Sequence, residues 1–498
     1  MNRPNLLLIL TDQQRFDSLA AYGFMGGHTP HLDRLAREGA VFERCYVNSP
    51  ICTPSRASLW TGQYMAGHNT TRLYDLLPND QVLFSKRLQD LGYHTGLIGK
   101  LHVSSLHEEA ERRHPNDGFS VYEWCVESSV RMDSPFNGYA QWLEQIDPAF
   151  AQRLRQEGRA VLHHPQHLHF NRWAVERSLH FLRHRPADQP FFLTVSVFDP
   201  HNPYDQYPTG FQEKLNPRQI PPPLVIPGEL ENRPTPLRRE SQQGYLANFE
   251  DLSPQTLEEM RLGYHASLAY LDQELGTLLA ELEAQGLTSS TLVVFVSDHG
   301  DMLGDHSLLV KGAFFYDPGI RVPLLMRWPG QIAAGQRIDQ LVQPHDLAAT
   351  FLEAAGLSPS TLQPLLPESQ SLLPLARGQT PPQPYRSHAI CQYRNSGISQ
   401  QGYWDPPIWG TMFLQGHCKL NLYHTPGEPG LEGELYHLGH DPQELENLWD
   451  HPNHQLARRQ LTEAALSWLS QSEQRWATRG GEKAPAADQK LNNGLRKQ

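Results

Sequence analysis

The stretch TLVVFVSDHGD, residues 291–301, decides the fold class. Its first seven residues form a near-continuous apolar run, which fits a strand buried on both faces, as in parallel sheets covered by helices. The run stops abruptly at Asp298-His299-Gly300-Asp301. Three other stretches repeat the design. NLLLIL (5–10) ends in Thr11-Asp12-Gln13-Gln14, TGLIG (95–99) in Lys100-Leu101-His102, and FFLTVSVF (191–198) in Asp199-Pro200-His201-Asn202-Pro203.

Helical patterns lie between these strands. HLDRLAREG (31–39) and FSKRLQDLG (84–92) both close on a glycine suited to a helix C-cap. The segment 253–286 opens on Ser-Pro and keeps apolar residues near helical spacing. Alternation of strands and helices predicts an α/β fold: a large, doubly wound, mixed and mainly parallel sheet flanked by helices. Ligands bind such sheets beyond the carboxyl ends of the strands, where all four polar clusters fall.

The pattern continues through VPLLMRWPG (322–330) and HDLAATFLEAAG (345–356), then fades in the proline-rich stretch 358–386. The expected division is a catalytic α/β domain over 1–375, a smaller C-terminal α+β domain over 376–477, and a flexible tail over 478–498. Two insert-like stretches, 103–165 with little periodicity and 202–252 too proline-rich for sheet or helix, are expected to be lids or specificity loops.

Composition excludes several function classes. The net charge is −12 without a long basic block, so nucleic acid is not an expected partner. No run of 18 apolar residues suggests a membrane span, and Leu6–Leu10 is too short for a signal-peptide core, which points to the cytoplasm. Five scattered cysteines (45, 52, 125, 391 and 418) suggest neither a disulfide framework nor a zinc cluster.

Asp12, Gln13, Asp298 and His299 combine oxygen donors with one imidazole. That set suits a hard or intermediate divalent ion such as Ca²⁺ or Mn²⁺ better than structural zinc. A second feature is SPICTPSRASLWTG, residues 49–62, where Cys52 and Pro54 open a helix. Proline is tolerated in a helix's first turn, and the dipole there favours negative charge. Taken alone, Cys52 reads first as a small buried residue before a capped helix.

With these residues in view the chain resembles the sulfatase family of the alkaline-phosphatase-like superfamily. CTPSRASLWTG (52–62) is similar to the signature in which C-x-P-S-R directs oxidation of cysteine to formylglycine. GYHTGLIGKLH (92–102) resembles the family's G-K-x-H segment, SDHGDMLGDHSLLVKG (297–312) its second metal segment, and ELYHLGHDPQELENL (434–448) the usual ending of its C-terminal domain. The resemblance implies a sulfuric ester hydrolase that acts on a small-molecule or carbohydrate sulfate ester and releases inorganic sulfate. It also implies a maturation enzyme that converts Cys52 to formylglycine, whose hydrated gem-diol is the nucleophile.

By the same resemblance Asp12, Gln13, Asp298, His299 and the modified Cys52 hold one ion, Ca²⁺ with Mn²⁺ as the alternative. Arg56 holds the group at position 52, and Lys100 and Lys311 bind sulfate oxygens. His201, with Lys311, serves the leaving oxygen, and His102 takes the diol proton during elimination. Two positions depart from many sulfatases, which carry a second aspartate at Gln13 and asparagine at His299. The Gln-and-His version resembles a branch that includes phosphonate monoester hydrolases, which is the alternative reading. Those hydrolases lack the K-x-H pair that this chain keeps as Lys100 and His102. His68, Asn69, Arg72, Trp124 and the segment 392–410 are candidate pocket residues.

Overall fold

The computed structural model describes residues 3–379, 385–396, 402–425 and 430–477; the expected tail and residues 397–401 of the candidate pocket segment lie outside these. Eight strands form one sheet: β1 (Asn5–Thr11), β2 (Ala40–Cys45), β3 (His94–Gly99), β4 (Val121–Trp124), β5 (Phe191–Ser196), β6 (Thr291–Ser297), β7 (Leu324–Arg327) and β8 (Gln336–Val342). Their order is β4-β3-β5-β1-β6-β7-β2-β8. Every neighbouring pair is parallel except the two made by β7, which runs antiparallel to β6 and β2. The sheet is therefore mixed and mainly parallel.

Strand β1 shows why continuous apolar runs mark these strands. Leu6, Leu8 and Leu10 face one core, and Leu7 and Ile9 face the other. The first core includes Trp60, Phe84 and Phe351 from helices Cys52–Thr61, Phe84–Asp90 and Asp346–Ala354. The second includes Leu32, Trp173 and Leu271 from helices Pro30–Arg37, Phe170–His184 and Pro254–Ala284. The last of these begins where Ser253 Oγ accepts from Thr256 N at 3.0 Å, a serine N-cap with proline behind it.

Four more strands, β9 (His388–Arg394), β10 (Trp409–Gln415), β11 (Cys418–His424) and β12 (Glu432–His437), form an antiparallel sheet in the order β12-β11-β10-β9. Helix Gln455–Ala477 covers it, with Leu461 and Ala465 packed against Ile390, Phe413 and Leu420. A buried ionic cluster joins this sheet to the larger unit. Lys419 Nζ donates to Phe315 O (3.0 Å), Asp317 Oδ1 (2.6 Å) and Glu444 Oε1 (2.7 Å).

Several local expectations change. Residues 103–165 hold helices Leu106–Glu111, Gly138–Ile146 and Pro148–Glu157. Caps at Asn137 and Asp147 start the last two, and a short apolar face hid them from a periodicity reading. The proline-rich 202–252 also contains a helix, Thr235–Gln242; Pro236 sits in its first turn, where proline does no harm. Among the described residues no helix is long and apolar enough to cross a membrane.

Candidate active site

Strands β3, β5, β1 and β6 are consecutive in the sheet, and all four carry the polar clusters at their carboxyl ends. Their registers level these exits: Leu10 and Gly99 both pair with Ser196, and Thr11 pairs with Ser297. Asp12, Lys100 and Asp298 therefore emerge side by side. Gly99 is required for this: its φ is +107° and a Cβ would lie 1.8 Å from Ser196 O. Gln13 and His102 hold left-handed backbones at φ 66° and 55°. Such strain in non-glycine residues persists only where the surroundings impose it.

Helix Cys52–Thr61 points its N-terminus into this row, and all ten of its residues are buried. Ser55 Oγ fastens it to the β6 exit by donating to Asp298 O at 2.5 Å. Arg56, one turn past Cys52, is wholly enclosed. It donates from Nε to Asp298 Oδ2 (2.6 Å), from Nη1 to Lys100 O and Ser196 Oγ (2.9 Å each), and from Nη2 to Asp12 Oδ2 (3.5 Å). Its planar fork thus reaches the ends of all four strands at once, which an ammonium could not do.

Cys52 Sγ lies 3.0 Å from Lys311 Nζ and 3.2 Å from His299 Nε2. Burial raises the Cys52 thiol pKa, but Lys100, Lys311 and His299 outweigh it and hold the group well below its ordinary value. The position is built for an anion. Burial likewise works against the Asp12 carboxylate, yet Lys100, His201 and Arg56 bring its pKa down. Lys100 Nζ contacts Asp12 Oδ2 directly. Burial disfavours the Lys311 ammonium, while Cys52 and Asp12 lift its pKa above the usual value.

The donor set fits a divalent cation. Ligand atoms of Asp12, Cys52, Asp298 and His299 all lie within 4.8 Å of one another. Asp12 Oδ1 is buried without a hydrogen-bond partner. His299 Nδ1 is 2.9 Å from Gly300 O, so it carries the hydrogen and leaves the Nε2 lone pair facing the carboxylates. Gln13 joins by its side chain: Oε1 accepts from Lys311 Nζ at 2.9 Å, and Nε2 donates to Asp301 Oδ2 at 2.6 Å and Asn202 Oδ1 at 3.3 Å.

Two histidines complete the enclosure. His201 Nδ1 is 2.7 Å from Asn202 O, so Nε2 is free to accept from Lys311 Nζ at 2.8 Å. Burial, then Lys311, lowers the His201 pKa. His102 Nε2 is 3.3 Å from Thr53 Oγ1, and burial with Lys100 brings its pKa down to about 4. A neutral imidazole beside position 52 can accept a proton. The structure thus brings together Asp12, Gln13, Cys52, Arg56, Lys100, His102, His201, Asp298, His299 and Lys311.

Some supporting residues escaped the sequence reading. Glu109 accepts from the N–H groups of His102 (2.8 Å), Val103 (2.7 Å) and Ser104 (3.1 Å), and from Trp124 Nε1 (2.9 Å). It holds the loop that carries His102. Asp301, quoted within the β6 cluster but given no role, takes Gln13 Nε2 and Tyr204 OH, each at 2.6 Å. Two pocket candidates, His68 and Trp124, are internal instead, and a third, Asn69, is exposed. His68 binds Ser58 Oγ and Thr70 N, Asn69 ends a short helix at φ 57°, and Trp124 is buried on Glu109.

Comparison with known proteins agrees with this geometry. The model of the Sulfatase family matches residues 4–357, and that of the N-sulphoglucosamine sulphohydrolase C-terminal region matches 304–471. An arylsulfatase of Clostridium perfringens is 29% identical over 72% of this chain and 76% of its own. A multifunctional alkaline phosphatase superfamily protein of Trinickia caryophylli is 27% identical over 94% and 95%. Among solved structures, a phosphonate monoester hydrolase of Agrobacterium radiobacter superposes with a TM-score of 0.79 at 24% identity, covering 94% of this chain and 96% of that one.

Proposed function

The chain belongs to the sulfatase family, and from that premise we propose that it hydrolyses sulfate esters to an alcohol and inorganic sulfate at a side chain made by oxidising Cys52 to formylglycine. One observation carries the reading. Position 52 opens a buried helix between the Lys311 ammonium and the His299 imidazole, with Asp12 and Asp298 converging on the same point.

The hydrated aldehyde supplies two hydroxyls on one carbon, one to take the sulfuryl group and one whose proton loss releases sulfate. A thiol has no such exit. When bound to Asp12, Gln13, Asp298, His299 and position 52, a divalent ion, Ca²⁺ or Mn²⁺, supplies Lewis acidity towards the transferring oxygens. The chain's own residues do the rest. Arg56 fixes Asp298 and Asp12 beside position 52. Lys100 and Lys311 provide fixed positive charge for the nonbridging sulfate oxygens. Lys311, hydrogen-bonded to His201, places a proton where the ester oxygen departs. His102, neutral above about pH 4, accepts the diol proton.

The second reading is a phosphonate monoester hydrolase or phosphodiesterase on the same centre. It is favoured by Gln13, which removes one carboxylate and leaves the site less negative. Lys100 and His102 favour sulfate. We further take 1–375 as the catalytic unit and 376–477 as the smaller one, supported by β9 beginning at His388. A cytoplasmic setting is supported by five unpaired cysteines. The deciding experiment compares aldehyde-bearing protein, made alongside a maturation enzyme, on an aryl sulfate and a phosphate diester with the same leaving group. Sulfate ester turnover exceeding diester turnover is expected; the reverse order overturns the sulfatase reading.

A further inference from the structure

The turn 71–77 is fastened beside position 52 from several sides. Asp75 Oδ2 accepts from Thr71 N (2.9 Å), Thr71 Oγ1 (3.0 Å) and Arg72 N (2.9 Å), which closes the turn on itself. Leu73 O accepts from Thr53 Oγ1 at 2.9 Å, so the turn is tied to the residue beside Cys52. Ser105 N donates to Asp75 O (2.9 Å) and Leu77 N to Ser104 Oγ (2.8 Å), which tie it to the loop that follows His102. Leu73 N donates to Ser396 Oγ at 3.1 Å and links it to the C-terminal segment. A turn held this way loses little freedom on binding, so its side chains form a pre-set surface.

Arg72 and Tyr74 project from it. The Arg72 guanidinium lies 5.4 Å from the centroid of the Tyr403 ring, and Nε donates to Asp75 Oδ1 at 3.0 Å. Tyr74 and Tyr403 are each 46% exposed. Burial, with the neighbouring Tyr245 and Tyr403 phenols, raises the Tyr74 pKa. Among the described residues no hydrogen bond reaches the terminal nitrogens of Arg72 or the Tyr74 hydroxyl. A cluster of exposed aromatic rings beside a catalytic centre marks a binding surface. Aromatic faces also attract a quaternary ammonium, but the Arg72 guanidinium on Tyr403 places a like charge there, which disfavours a cationic alcohol.

We propose that Arg72, Tyr74 and Tyr403 form the leaving-group subsite, and that it selects esters whose alcohol is a ring, phenol or pyranose, over alkyl and quaternary-ammonium alcohols. The ring stacks on Tyr74 and Tyr403, and a ring substituent oxygen accepts from Arg72. The assignment rests on the sulfate-ester reading, and it joins Arg72 and Tyr403, which are far apart in sequence.

The test uses two measurements. Calorimetry on the unconverted Cys52 protein measures binding of phenyl sulfate, glucose 6-sulfate, methyl sulfate and choline sulfate. Turnover of the same four is measured on aldehyde-bearing protein. Tyr74→Ala and Tyr403→Ala should weaken both ring sulfates roughly tenfold and leave methyl sulfate unchanged, while Tyr403→Phe should retain ring binding. Arg72→Met should weaken glucose 6-sulfate more than phenyl sulfate. The larger wild-type response among the two ring esters tells aryl from sugar. Equal losses on methyl and ring sulfates, no loss at all, or a wild-type preference for choline sulfate would overturn the subsite. Ring-selective binding without sulfate release from any ester would support the subsite and remove the sulfatase reading instead.

Discussion

Arg56 Nε donates to Asp298 Oδ2 at 2.6 Å, and neither side chain has any exposure to water. Removing one partner of such a pair strands the other charge in a dry interior, at a cost of about 3–5 kcal/mol. Arg56→Ala should therefore lower the unfolding midpoint clearly. Arg56→Lys restores the charge but not the fork to Lys100 O and Ser196 Oγ. It should remain folded yet lose about a hundredfold in kcat/KM. Thermal denaturation and aryl sulfate turnover on both variants check the pair of outcomes.

Lys311 sits between Cys52 Sγ and His201 Nε2, at 3.0 and 2.8 Å. If it delivers the proton to the departing oxygen, its removal matters most when that oxygen is basic. Lys311→Ala should cost roughly 10²–10⁴ in kcat/KM on an alkyl sulfate and much less on 4-nitrophenyl sulfate. A loss of equal size on both would assign Lys311 to sulfate binding alone.

Asp12 Oδ1 is buried without a hydrogen-bond partner and faces His299 Nε2 at 3.5 Å. A cation that binds only the folded state stabilises it by about 2.7 kcal/mol at a hundredfold excess over Kd. Chelated protein titrated with Ca²⁺ or Mn²⁺ should therefore melt at a higher temperature. Asp12→Ala and Asp298→Ala should remove that rise, and elemental analysis of the wild type should find one ion per chain.

Glu240 accepts from Ala313 N (2.8 Å) and Trp404 Nε1 (3.2 Å) through the same oxygen. Burial raises its pKa from 4.5 to about 7, against the pull of those donors and Arg239. The folded state thus holds this proton more tightly than the unfolded chain. Its contribution is fully present below pH 4.5 and is lost as pH rises through about 7. Glu240→Gln keeps both hydrogen bonds and removes the titration. The variant should gain on the wild type between pH 5 and pH 8, by roughly 3 kcal/mol at most. Melting curves at the two pH values measure the difference.

The residues legible in the sequence were those whose role follows from strand ends. Asp12, Lys100, His201 and Asp298 each follow a continuous apolar run, and a parallel sheet levels such exits by its register. Cys52, Arg56 and Lys311 became assignable only through the resemblance, because nothing in a lone cysteine or lysine says which strand it will face. β7 is buried at all four residues and apolar at three, like its parallel neighbours, so direction could not be read from composition. Glu109 was hidden for another reason. It acts by receiving backbone N–H groups, and backbone contacts leave no signature in residue type. Arg72 and Tyr403 meet only because two remote loops fold over the same rim.

The loop that carries Lys311 continues through Phe315, Tyr316 and Asp317, and each of these is held by the antiparallel sheet. Lys419 takes Phe315 O and Asp317, Glu434 contacts the Tyr316 hydroxyl, and Glu444 receives Asp317 N. The small C-terminal sheet thus acts as a brace for the loop that carries Lys311 rather than as an appendage. A shortened version ending near residue 376 would strand Asp317 and release the lysine from its post. Removing the small sheet would therefore loosen Lys311 from Cys52 and His201 without changing a residue of that cluster.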